Sequence, residues 1–209
     1  MKKFIFPGAL CFILVFLNSC LTTLHPIFTE KDLVFDHRLA GSWKKTKDGL
    51  SVSYRPATTS DLEALSPTLQ RNAGKFYMYE EKDEQGRMKK ANFAFMVKLG
   101  KYYYLDYYPA GVKQTGPVDE FFAAHYIPMH SIYRIRFTTN NSFDIQQLDA
   151  GYLENLIRNK KIRIRHEVTE DGSYVITAPT EELQKYIVKY SDIPEAYSND
   201  NSASYNKIN

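Results

Sequence analysis

The chain has few cysteines, a single tryptophan, little charge imbalance and no second long hydrophobic run. Its two cysteines, Cys11 and Cys20, both fall at the N-terminus of a 209-residue sequence. Exported small domains commonly rely on paired cysteines as covalent staples, so the body of this fold must be held by packing alone. Lys and Arg number 27 against 24 Asp and Glu. That near balance excludes a general nucleic-acid binder, whose domain would carry a marked basic excess. No G-x-S-x-G elbow flags an activated serine, and no G-x-x-x-x-G-K-[ST] loop offers a phosphate cradle. Carboxylates gather at Glu80, Glu81, Asp83 and Glu84, but on a hairpin end where such charges are solvated.

What is present begins at the N-terminus. Lys2 and Lys3 precede an uncharged apolar stretch from Phe4 to Leu17, and a small residue, Ser19, stands directly before Cys20. This is the three-part layout of a secretory signal. The stretch is interrupted by Pro7-Gly8 and falls short of the about 20 residues that a transmembrane helix needs. Leu17-Asn18-Ser19-Cys20 resembles a bacterial lipobox. The resemblance implies removal of residues 1–19, Cys11 included, and acylation of Cys20 with palmitate-type chains. Two such chains anchor firmly, since each buried methylene contributes about 0.8 kcal/mol. It also implies a destination. Leu21 stands where an aspartate would favour the inner membrane, and Leu21-Thr22-Thr23-Leu24-His25 carries no acid. The expected location is the cell envelope, at the outer membrane, facing the periplasm.

Loss of Lys2 and Lys3 leaves the remaining chain almost neutral. Residues 20–38 form a lipidated N-terminal segment, unusually apolar for a tether, with Leu24, Ile27, Phe28, Leu33, Val34 and Phe35. A flexible tether would be Gly- and Ser-rich, so this one is expected to dock on the domain. Residues 39–192 read as a single β-rich domain. Residues 193–209, rich in Asn and Ser, read as a flexible tail.

Sixteen tyrosines and thirteen phenylalanines suit pleated, half-buried surfaces. Period-2 alternation predicts a meander from Lys75 to Tyr108, with a turn at Asp83-Glu84-Gln85-Gly86 and another at Gly100. Within it Phe93, Phe95, Val97 and Leu99 share one face, and Asn92, Ala94, Met96 and Lys98 the other. A short helix is expected from Thr59 to Gln70, and one or two helical turns over Val118–His125. Strands follow at Ser131–Phe137, with Tyr133, Ile135 and Phe137 inward, and at Phe143–Leu148. Asp149 is placed to cap a helix through Asn159, and Thr180 to cap a last helix bearing Leu183, Ile187 and Tyr190. About eight strands joined by hairpins form an antiparallel sheet that curls into a barrel. The expected class is mainly β (α+β), with additional C-terminal helices.

Gly41-Ser42-Trp43 is similar to the glycine–any–tryptophan motif opening lipocalins, in which the tryptophan plugs the closed barrel end. More of the chain resembles a group of uncharacterised bacterial envelope lipoproteins. The likeness lies in Cys20–Leu24, Asp32–Asp36, the Gly-Ser-Trp, Tyr126–His130 and Thr180–Gln184. That resemblance implies the anchor and the lipocalin-like barrel, and no activity.

Candidate binding residues come from two patterns. Arg134 and Arg136 share a strand face, as do Arg163 and Arg165, and neighbouring strands would merge them into a carboxylate- or phosphate-gripping patch. Tyr102, Tyr104, Tyr107 and Tyr108 are candidates to line a ligand cup. His125 and His130 are five apart across Pro128, unlike the four-residue spacing of helical zinc pairs, and read as structural. Ser131 beside His130 would point to the opposite face. The expectation is a membrane-anchored, non-enzymatic binding domain for a small apolar ligand or an envelope protein, with no catalytic residue, metal or cofactor. The alternatives are a structural or assembly protein without a cavity, or a hydrolase. An interior filled by Phe93, Phe95 and Ile135 would exclude a ligand, whereas an open pocket of ligand size would admit one.

Overall fold

The computed structural model describes residues 21–62, 67–110 and 125–208. Residues 1–20, with the expected signal and lipidation site, and most of the expected 118–125 helix lie outside them. Among the described residues eleven strands run in chain order: β1 (Thr22–Thr23), β2 (Gly41–Lys45), β3 (Ser51–Pro56), β4 (Tyr77–Lys82), β5 (Met88–Leu99) and β6 (Tyr102–Pro109). They continue with β7 (His130–Thr139), β8 (Ser142–Leu148), β9 (His166–Val168), β10 (Tyr174–Ile176) and β11 (Tyr197–Lys207). Two helices, α1 (Ala150–Arg158) and α2 (Thr180–Tyr190), separate the later strands.

Strands β2 to β8 pair antiparallel in sequence order, and β11 joins β8 back to β2. The result is a closed antiparallel barrel of eight strands, as the hairpin pattern predicts. β1 pairs with Ser131 and His130 at the start of β7, and β10 and β9 extend the sheet outward from it. The β4–β5 turn is built as expected. Asp83 accepts the Arg87 amide at 2.8 Å, and Gly86 takes the left-handed φ of 76° that favours glycine.

The tail is a correction. Residues 197–207 form β11, the strand that closes the ring, with Tyr205 facing Phe143 and Lys45 in register. From Asn199 to Ser204 every side chain on this strand is exposed or half-buried, and the buried aromatic rings are confined to Tyr197 and Tyr205. Its composition therefore mimics a loop. The 59–70 helix is also corrected: a 3-10 turn covers Thr59–Asp61 and a separate helical turn covers Pro67–Gln70.

Alternation along the strands creates two cores. Trp43, Tyr54, Tyr77, Leu105, Ile135 and Phe143 fill the barrel interior. Phe76, Phe93, Phe95 and Ile132 point the other way, into an outer core completed by Leu153 of α1 and by Leu183 and Ile187 of α2. Phe93 and Phe95 thus lie outside the barrel, and both faces of β5 are buried. Each such large apolar side chain contributes roughly 1.5–3 kcal/mol by burial.

The segment after Cys20 is docked rather than loose. Leu21, Ile27 and Phe28 are buried in the outer core. Leu24 donates its amide to Ile176 and Val34 to Met96, at 2.9 and 2.8 Å. The Thr180 hydroxyl donates to the Pro26 carbonyl at 2.9 Å, and Gln184 to that of Ile27 at 2.8 Å. Pro179, not Thr180, holds the cap position of α2. Asp149 caps α1 as expected, accepting from the Tyr152 amide at 2.7 Å.

A cup at the open end of the barrel

The two barrel ends differ. At one end Trp43 is fully buried, donates its indole N–H to the Leu39 carbonyl at 2.9 Å and packs edge-on against Phe143 at 4.6 Å. The Lys207 ammonium lies 5.2 Å from the centre of the indole ring. Gly41 has a φ of 135°, and a Cβ there would meet the Lys207 side chain at 3.0 Å. The glycine two residues before the tryptophan thus supplies a backbone conformation that other residues rarely adopt.

At the other end the interior widens into a cavity of about 590 Å³, within the roughly 300–1,000 Å³ of small-molecule sites. Inward positions of six strands build it: Tyr79 on β4, Asn92 on β5, Tyr107 on β6, Tyr133 on β7, Ile145 on β8 and Tyr205 on β11. Tyr107 meets Tyr79 and Tyr133 edge-on, each at 5.3 Å, so the walls are aromatic planes. Their polar tips are organised as well. The Tyr54 and Tyr107 hydroxyls hydrogen-bond to each other, and Tyr79 donates to Glu81 at 3.0 Å. Burial pushes the Tyr54, Tyr79, Tyr107 and Tyr205 phenols up from their ordinary value of 10.0. They are neutral hydrogen-bonding groups across the physiological range. Lys45, Lys47 and Lys90 stand on the rim with Asp48, Glu81 and Asp200, and Lys45 pairs with Asp48 at 2.8 Å. On the inner face of β8, two residues beyond Ile145 and opposite Tyr133, Gln147 is buried with neither end of its amide hydrogen-bonded. Each such unmade bond costs about 1–3 kcal/mol.

The residues singled out in the sequence lie elsewhere. Tyr102, Tyr104 and Arg134 come together, but on the outer face of β6 and β7. The Arg134 guanidinium lies 3.7 Å from the Tyr197 ring centre and 4.9 Å from that of Tyr102. It donates to the Ser191 carbonyl at 2.8 Å and to Gln146 at 2.6 Å. Tyr104 shares a hydroxyl contact with Tyr197 at 3.1 Å. These bonds bolt the end of α2 to the barrel wall. Arg136 is separate and exposed, paired with Asp144 at 2.9 Å. Arg163 and Arg165 do not join Arg134, because β1 and β10 stand between their segment and β7. Of the four tyrosines, only Tyr107 reaches the cup.

His130 turns into the outer core while Ser131 faces the cup, as alternation requires. The His130 Nδ1 lies 2.6 Å from Asp106, whose second oxygen accepts the Ile27 amide at 2.9 Å. Asp106 is completely buried and pins the docked N-terminal segment. Sequence reasoning overlooked it. Its signal was a lone carboxylate inside the Tyr102–Tyr108 run of a barrel strand. Among the described residues no three potential metal ligands gather. Comparison with known protein families, curated proteins and solved structures gave no match to this chain, so the chemistry of the site rests on the geometry of this barrel.

Proposed function

We propose that this chain is a lipid-anchored, non-enzymatic binding protein of the cell envelope. Its cup holds one small molecule with an aromatic or apolar body and polar edges. One observation carries the reading: the barrel is plugged at the Trp43 end and open at the Tyr107 end, leaving about 590 Å³ walled by tyrosines. Aromatic faces offer contact area, while neutral hydroxyls, Asn92 and rim charges orient polar groups. The docked segment 21–35 supports a body held close to its anchor. The outer-membrane, periplasm-facing placement implied by Leu21 belongs to the same proposal.

Anilinonaphthalene sulfonate, an apolar bicycle with one anionic group, is the probe. It is expected to bind one per chain, and Ser131→Trp, which fills the cup, should weaken binding at least tenfold, about 1.4 kcal/mol, with the melting temperature little changed. Binding that survives the filled cup places the dye on the outer surface and removes the ligand reading. The anchor is tested separately. Cys20→Ser is expected to end palmitate incorporation in growing cells. Continued labelling would mean that the acyl chain sits elsewhere.

A further inference from the structure

On the outside of the molecule, away from the cup, the 160–166 segment and α2 enclose a groove of about 520 Å³ that continues into a shallower one of about 200 Å³. Five cations line it, Lys160, Arg163, Arg165, Lys185 and Lys189, against one carboxylate, Glu182. All five are exposed, and among the described residues none of them makes an ion pair. The floor is apolar, with Ile164 buried and Ile162 half-buried. In a chain whose charges nearly balance, such segregation is a local feature. Unlike Arg134, whose donors are used internally, these side chains have their hydrogen-bonding capacity free.

We infer that this basic groove rests on the anionic headgroups of the membrane that holds Cys20. The register supplies the proximity. Thr23 pairs with Ile176, and Ile176 with His166, so the groove lies two strand spacings, about 10 Å, from the docked segment. Cys20 is three residues before Thr23, at most about 10 Å of chain. A bilayer entered at Cys20 is therefore within reach of long Lys and Arg side chains. Basic clusters beside a lipid anchor gain from the negative surface potential of acidic lipids, and the gain fades beyond a Debye length. The groove then acts as a second attachment that fixes which side of the barrel faces the lipid.

The inference rests on the anchor reading for its geometry, and the test keeps the two apart. The full chain is reconstituted in phosphatidylcholine vesicles and in vesicles with phosphatidylglycerol added. Amide hydrogen exchange is read over residues 160–166 and 185–189. Exchange is expected to be about tenfold slower on the acidic vesicles, with the difference lost at about 1 M salt. It should also vanish in the Lys160→Glu, Arg163→Glu, Arg165→Glu variant, whose barrel amides serve as the folding control. Equal exchange on both vesicle types overturns the proposal. So does slowing by soluble polyglutamate with no effect of acidic vesicles, which would assign the groove to an acidic protein. A chain that fails to enter neutral vesicles refutes the anchor alone. The comparison is then repeated by adding it to preformed acidic vesicles.

Discussion

Raising the pH above 10 is expected to unfold the barrel in a single steep step. Tyr54, Tyr79, Tyr107 and Tyr205 are held above the ordinary phenol value of 10.0, first by burial and then by neighbouring charge, that of other cluster tyrosines for Tyr54, Tyr79 and Tyr107 and that of Glu81 for Tyr205. Below that value both folded and unfolded chains keep these protons, and stability is at its full level. Above it the unfolded chain loses protons that the folded interior retains, so stability falls with pH. Each such tyrosine removes about 1.4 kcal/mol per pH unit, and the four together about 5.5 kcal/mol per pH unit. A domain of ordinary stability, about 5–15 kcal/mol, is exhausted within one to three units. Tyrosinate absorbance should rise together with the loss of far-UV circular dichroism. Gradual titration near 10 with the sheet intact would show that water floods the interior and that the tyrosine cluster is not packed.

Trp43→Ala carries the second large effect. The side chain is fully buried, plugs the barrel against Phe143 and spends its N–H on the Leu39 carbonyl. Truncation leaves a large cavity, strands a buried carbonyl and removes the surface on which Lys207 rests. The expected loss is about 3–5 kcal/mol, or a fall in melting temperature of roughly 6–20 °C for a domain of this size. Because Trp43 is the only tryptophan, melting must be followed by circular dichroism rather than by indole fluorescence. A loss under about 1 kcal/mol would falsify the plug and reduce the glycine–tryptophan likeness to coincidence.

Much of the barrel was legible because its hairpins carry local signals. The β4–β6 meander shows alternation interrupted by Asp83–Gly86 and Gly100, and α1 shows its apolar stripe behind Asp149. What alternation cannot reveal is which face is the interior. On β5 and β6 both faces are buried, one inside the ring and one beneath α2 and the docked segment. Tyr102, Tyr104 and Tyr108 therefore looked as suitable for a cup as Tyr107, and Phe93 and Phe95 as suitable to fill the interior. The deciding information is the long-range pairing of β6 with β7 and of β11 with β2, which no local window contains. Asp106 escaped for a similar reason. Its partners, His130 and the Ile27 amide, are far along the chain and meet it only after the barrel has formed.

The position of β11 has a consequence for how the molecule comes into being. Whether the ribosome or an export channel delivers the chain N-terminus first, β2 emerges early and must wait for Tyr205, Asn206 and Lys207 before it gains its second neighbour. Until then the sheet has two open edges, at β2 and at β8, and the cup has no complete wall. Ring closure depends on contacts between distant parts of the sequence, which form slowly. A product stopped short of β11 would keep both raw strand edges, the kind of unpaired edge that templates aggregation.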